Sequence, residues 1–145
     1  MTIHKKFMLE AVKEAQKSLR EGGIPEGSVL VKEGKIIGRG HNKRAQRGSS
    51  NINSEMDCLE NGGKSTGKDC EKCTLYTTLS PCDEAADAIL SHKIPVVVIG
   101  ENETFMGPEG YLQAKGVQLI DLDMKECKDM MKDFTKKHTA VWDDD

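Results

Sequence analysis

The chain has 145 residues, which suits one domain with a real core spanning 1–145 and leaves too little for two. Its 21 Lys and Arg against 24 Asp and Glu give a net charge of −3, and the densest basic cluster is Lys43, Arg44 and Arg47; this favours a small-molecule substrate over a nucleic-acid partner. Five cysteines, an odd number, point to free thiols in a reducing compartment, and no apolar run nears the ~20 residues of a membrane span, so a cytoplasmic location without a membrane partner is expected.

Residues 3–21 place Ile3, Phe7, Met8, Ala11, Val12, Ala15 and Leu19 on one helical stripe, which Gly22-Gly23 ends. Ser28–Val31 and Lys35–Gly38 flank Glu33-Gly34 and predict a β-hairpin. Residues 41–52 read as a polar loop, followed by a short helix from Asn53 to Gly62-Gly63. Cys73–Leu79 is rich in β-formers. Ser80 as N-cap and Pro81 as first helical residue then open a helix carrying Ala85, Ala86, Ala88, Ile89 and Leu90. Pro95–Gly100 is a further apolar strand and Val117–Leu122 a weaker one, with a short helix over Glu109–Ala114 between them. A last helix runs over 124–137 through Met124, Cys127, Met130, Met131 and Phe134. Strands alternating with helices predict an α/β fold, a three-layer α/β/α sandwich.

Glu55 and Cys82 both fall at predicted helix starts, where amide N–H groups and the helix dipole stabilise negative charge. Cys82, as second helical residue, is expected to be a better thiolate than a free cysteine, with Asp83 and Glu84 opposing the shift. If the two helices start side by side, a carboxylate and a thiol share one pocket.

From residue 11 onward the chain resembles the fungal cytosine deaminases of the cytidine/deoxycytidylate deaminase superfamily. The resemblance rests on Glu21-Gly22-Gly23-Ile24-Pro25, Gly38-Arg39-Gly40-His41-Asn42, the run Thr74 to Cys82, and Gly100-Glu101-Asn102. It implies a five-stranded mixed sheet between helices, a homodimer, and zinc-assisted hydrolysis of an amino group on a heterocycle. It also implies that Asn42 hydrogen-bonds the pyrimidine, that Phe105 and Trp142 wall the base, and that Asp145 accepts from the exocyclic amine. Leu79 and the Ser80 carbonyl match the strand end over which the base lies, and the Ser54 N–H matches a backbone donor to it.

The superfamily signature takes one His and two Cys as zinc ligands, with a Glu that moves protons. Here Glu55 and Cys82 stand in place, whereas Asn53 and Ala85 replace the other two ligands. On this ground no zinc cofactor is expected. Glu26 stands where an aliphatic pocket residue belongs, and Ser28 replaces a Gly. Glu26 could hold an amino-bearing ligand, add a second acid/base, or be a solvated loop carboxylate. Asn53 could cap its helix or hydrogen-bond substrate. Cys58 and Cys127 read as core thiols, Cys70-Glu71-Lys72-Cys73 as a lone CxxC pair, and His41 and His92 as surface or loop residues.

The first functional expectation is a metal-independent enzyme acting on a small pyrimidine-like heterocycle, with Cys82 as nucleophile and Glu55 as general acid/base. Glu26, Asn42, Asn53, Ser54, Leu79, Ser80, Phe105, Trp142 and Asp145 would bind the substrate. The alternatives are a non-catalytic protein that binds a heterocycle or partner subunit, and a deaminase whose metal is held by Cys82 with Glu84, Asp57 or Asn53.

Overall fold

In the computed structural model, which describes residues 2–43, 53–62 and 70–138, helix α1 (Ile3–Arg20) starts at Thr2, whose hydroxyl accepts from the Lys5 amide. Phe7, Met8, Ala11, Val12 and Ala15 form its buried stripe, while Ile3 and Leu19 at its two ends stay exposed. Glu14 and Ser18 are buried beside that stripe because each has a polar partner: Glu14 faces Arg39, and the Ser18 hydroxyl donates to the Asn42 carbonyl at 2.8 Å.

Strands β1 (Gly27–Lys32) and β2 (Lys35–His41) form the expected hairpin. Both turn residues take positive φ, Glu33 at 52° and Gly34 at 78°, as the tight turn between right-twisted strands requires. Helix α2 (Ser54–Asn61) follows, and a 3₁₀ turn (Cys70–Lys72) leads into β3 (Cys73–Leu79). Then come helix α3 (Asp83–Ser91), β4 (Val96–Glu101), helix α4 (Glu109–Ala114), β5 (Gln118–Asp121) and helix α5 (Lys125–Lys137).

The strands form one five-stranded mixed sheet in the order β2-β1-β3-β4-β5. β1 pairs antiparallel with β2 and β3, whereas β3, β4 and β5 run parallel. On one face Phe7, Met8, Ala11 and Val12 of α1 and Cys127 of α5 pack on Val29, Val31, Tyr76 and Val98. On the other, Cys58 and Leu59 of α2, Ala86 and Ile89 of α3 and Leu112 of α4 pack on Leu30, Leu75, Val97 and Ile99. This is the three-layer α/β/α arrangement expected from the sequence.

Gly40 sets how closely α2 approaches the sheet. A Cβ on Gly40 would collide with the backbone of Asp57 and Cys58, so the bare strand lets α2 lie directly on β2. The start of α3 differs from expectation. Cys82 is the N-cap and Asp83 the first helical residue, so Ser80 and Pro81 lie ahead of the helix. Ser80 is instead held by the loop after β4: its hydroxyl donates to Glu109 Oε2 at 2.6 Å and accepts from the Gly107 amide at 3.0 Å. Those bonds compete with capping and leave Cys82 at the helix boundary.

Candidate functional site

Helices α2 and α3 begin side by side, and their starts meet through a side-chain contact. Asn53 caps α2, its Oδ1 accepting from the Met56 amide at 2.8 Å. Its other end, Nδ2, lies 3.4 Å from the Cys82 sulfur. Asn53 is thus both a cap and a link between the half-sites.

Glu55, in the first turn of α2, is fully buried. Its Oε1 accepts from the Ser54 hydroxyl at 2.9 Å, and that hydroxyl is 2.8 Å from the Ser28 hydroxyl on β1. Because Ser54 gives its proton to Glu55, Ser28 donates to Ser54, and the two serines form a directed chain ending on the carboxyl. Glu55 Oε2 has no hydrogen-bond partner. Burial raises the Glu55 pKa well above the usual carboxylate range, and the neighbouring Glu26 charge adds to the rise. Its own backbone amide, then the Ser54 and Thr77 hydroxyls, pull the other way. Burial thus favours the protonated form of the Glu55 carboxyl more than that of an exposed carboxylate.

Glu26 is buried, which removes the solvated-loop alternative. Its Oε1 accepts from the Ser54 amide at 3.0 Å and from Asn42 Nδ2 at 3.2 Å. The Asn42 amide in turn donates to the Glu26 carbonyl at 3.0 Å. Glu26 is thus bound to the end of β2 and to the first residue of α2.

Cys82 is half-buried, and burial together with the Glu55 and Glu26 charges raises its thiol pKa. The amides of Ala85 and Glu84 lower it by less. This corrects the expectation of an enhanced thiolate: desolvation and two nearby carboxyls outweigh the helix start.

Leu79 and Ser80 are buried at the end of β3, and Leu79 clusters with Ile24, Met131 and Phe134. Phe105 is 36% exposed, in a loop where a Cβ on Gly107 would collide with the Pro81 carbonyl beside Cys82. The structure thus brings together Glu26, Asn42, Asn53, Ser54, Glu55 and Cys82, with Leu79 and Ser80 leading into α3. Trp142 and Asp145 lie outside the described residues, as does most of the predicted loop over 41–52.

Of the alternative metal partners of Cys82, Asn53 lies beside it, 3.4 Å from the sulfur. Asp57 is committed to Lys43, 2.7 Å away, and to the His41 amide at 3.0 Å, and Glu84 is exposed. His41 is not a surface residue. It is buried, with Nε2 2.9 Å from Glu21 Oε1 and Nδ1 3.9 Å from Glu14 Oε1. His92 caps the end of α3, its Nδ1 lying 2.9 Å from the Ala88 carbonyl. Cys58 and Cys127 are core thiols as expected, and burial pushes Cys127 up to about 12. Cys70 and Cys73 are buried without a disulfide.

Sequence reasoning missed Glu101, a second fully buried carboxyl. Its Oε1 accepts from the Thr104 amide at 2.9 Å and its Oε2 has no partner. Its one sequence signal is its place in the Gly100-Glu101-Asn102 run.

Residues 1–101 match the family model described as the cytidine and deoxycytidylate deaminase zinc-binding region. The chain is 42% identical over 142 residues to a cytosine deaminase of Candida albicans, covering 97% of this chain and 95% of that protein. It is 39% identical over 109 residues to a tRNA-specific adenosine deaminase of Streptococcus pyogenes, covering 74% of this chain and 69% of that protein. The guanine deaminase structure from Nitrosomonas europaea superposes with a TM-score of 0.73 at 15% identity, covering 90% of this chain and 83% of that one, a likeness of fold.

These matches correct the expectation that no zinc cofactor is involved, because the region this chain shares is the family's zinc-binding region. They also weaken the exclusion of nucleic acid, since tRNA-specific deaminases are among the relatives. The donors themselves do not make a three-ligand zinc set. At the two helix starts the structure offers the Cys82 thiol, the Asn53 amide and the Ala85 methyl, and no group of three His, Cys, Asp or Glu suited to a metal occurs among the described residues. With the family model covering more than half of its length and a relative 42% identical along nearly all of it, this chain belongs to the cytidine and deoxycytidylate deaminase family.

Proposed function

We propose that this protein is a deaminase-family enzyme that acts on a small nucleobase-like heterocycle where α2 and α3 begin, with Glu55 as the group that carries the proton. The observation behind this reading is the setting of Glu55: fully buried at the start of α2, with Oε1 held by the Ser54 hydroxyl, Oε2 unpartnered, and a pKa raised by burial and by Glu26. An acid whose pKa is lifted above the ordinary carboxylate range is suited to donate and recover a proton in one turnover. Glu55 would give its proton to a ring nitrogen or to the departing amine, and the Ser28–Ser54 chain would orient the carboxyl during that exchange. Cys82 is the half-buried edge of the same site and the candidate nucleophile, although burial raises its pKa and so opposes the thiolate that attack requires.

A second reading, binding without turnover, is favoured by the Asn53–Cys82 contact, which occupies the thiol. A homodimer belongs to either reading and is checked by light scattering.

Ammonia release and calorimetric binding, measured on the full chain with cytosine, adenine, guanine and a tRNA, test both readings. Turnover of a free base that is lost in Glu55→Gln supports the first. Mass spectrometry of a stalled reaction then asks whether a covalent adduct forms and vanishes in Cys82→Ala. Binding without ammonia in every variant supports the second. Turnover of tRNA alone would replace the free base by a nucleic-acid substrate, and absence of any binding overturns both readings.

A further inference from the structure

Ser80 and Pro81 are residues with which a helix readily begins, a hydroxyl cap followed by proline at the first helical position. Helix α3 nevertheless begins at Asp83. Cys82 is its cap, with extended angles of φ −76° and ψ 179°, and the Ala86 amide donates to the Cys82 carbonyl at 2.9 Å. A helix that starts there leaves the Glu84 and Ala85 amides without internal partners. A start at Ser80 would bond them to the Ser80 and Pro81 carbonyls, four residues back in each case.

Glu109 accounts for the later start. Its Oε2 accepts from the Ser80 hydroxyl at 2.6 Å, and that hydroxyl accepts from the Gly107 amide at 3.0 Å. Asn102 Nδ2 steadies the carboxylate, 3.3 Å from Oε1 and 3.4 Å from Oε2. Glu109 is half-buried at the first position of α4, so its backbone is fixed by that helix. A Cβ on Gly107 would collide with the Pro81 carbonyl, which therefore lies against the loop.

Where α3 starts decides where the Cys82 sulfur lies. A cap side chain folds back over the amides of the second and third helical residues, here Glu84 and Ala85. Those are the amides that act on the Cys82 thiol, and the sulfur stands 3.4 Å from Asn53 Nδ2. As the second residue of a longer helix, Cys82 would take helical backbone angles and no longer face them.

We propose that Glu109 is a positioning residue of this site: by holding the Ser80 hydroxyl it prevents the earlier helix start, keeps Cys82 as the cap and directs its sulfur toward Asn53. The proposal rests on the reading that the site lies where α2 and α3 begin, and adds to it a residue that acts through Ser80.

Amide hydrogen exchange, followed by nuclear magnetic resonance on the full chain, tests this without a ligand. In Glu109→Ala the released Ser80 hydroxyl is expected to cap α3. The Glu84 and Ala85 amides should then exchange about tenfold more slowly than in the parent, the factor a net hydrogen bond supplies. Glu109→Gln keeps a carbonyl oxygen for the Ser80 hydroxyl and is expected to show the parent rates. Combining Ser80→Ala with Glu109→Ala removes the alternative cap as well, and the slowing is expected to vanish. Glu109→Ser is too short to reach Ser80 and serves if the alanine variant fails to fold.

Unchanged or faster exchange at Glu84 and Ala85 in Glu109→Ala or Glu109→Ser overturns the proposal, since Glu109 then only fastens the loop. Slowing that persists in the double variant, or that Glu109→Gln shows equally, overturns it too. None of these outcomes touches the nucleobase-like reading, which stands or falls on ligand binding and ammonia release.

Discussion

The Asn53 amide nitrogen stands 3.4 Å from the Cys82 sulfur, tying the start of α2 to the start of α3 while the same side chain caps α2. One neutral amide does two structural jobs at a position where the family's signature has a metal-binding His.

Substituting Asn53→His and Ala85→Cys together should raise the zinc content of the purified protein above that of the parent, because three nitrogen and sulfur donors would then converge at the two helix starts. Elemental analysis of both proteins reads this directly. Equal stoichiometry in the two would mean that other residues complete the set.

Glu55→Gln should stabilise the fold at neutral pH. Its carboxyl has a folded pKa raised above the ordinary 4.5, by burial first and by Glu26 second. A raised carboxyl contributes most below the unfolded pKa, and that contribution is lost as pH rises toward the folded one. Gln has no proton to lose, so its advantage over the parent should grow with pH from about 4.5 upward. Urea unfolding from acid to mildly alkaline pH measures it, and an advantage that shrinks with rising pH would reverse the assignment.

Among the described cysteines Cys82 is the accessible one, whereas Cys58, Cys70, Cys73 and Cys127 are buried. Iodoacetamide should label Cys82 first in the native protein. The rate at pH 7 should fall below that of a free cysteine, because its pKa is raised and the thiolate is the reactive form. Peptide mapping identifies the residue, and a rate faster than free cysteine would restore the activated thiolate expected from the helix start.

Gly40→Ala should destabilise the protein by about 1–3 kcal/mol, the usual cost of overpacking, because its Cβ would meet the backbone of Asp57 and Cys58. Moving α2 off β2 would also shift Ser54 and Glu55. Thermal unfolding checks the stability, and ligand affinity in the folded fraction checks the displacement of the site.

Much of this was legible from the chain alone. The stripe Phe7–Met8–Ala11–Val12–Ala15, the Glu33-Gly34 turn and the apolar run before Gly100 each state their element, because period and turn chemistry are local properties. Glu55 and Cys82 could be paired because both precede or open helices that follow sheet-adjacent segments. The burial of Glu26 and His41 could not be read. Each depends on partners distant in sequence: Asn42 and Ser54 for Glu26, and Glu14 and Glu21 for His41.

The sequence by itself determined the elements, the family and the positions where the zinc ligands are exchanged, since these follow from residue type, spacing and long runs of identity. Only the tertiary structure decided the ionisation of the site. Local rules favour a thiolate at Cys82 through the helix start. The fold instead encloses Cys82 with Glu55 and Glu26, so that desolvation, with the carboxyls beside it, outweighs the helix start, and the pKa of both Cys82 and Glu55 is raised. Charge states depend on what surrounds a group in three dimensions, which spacing along the chain does not encode.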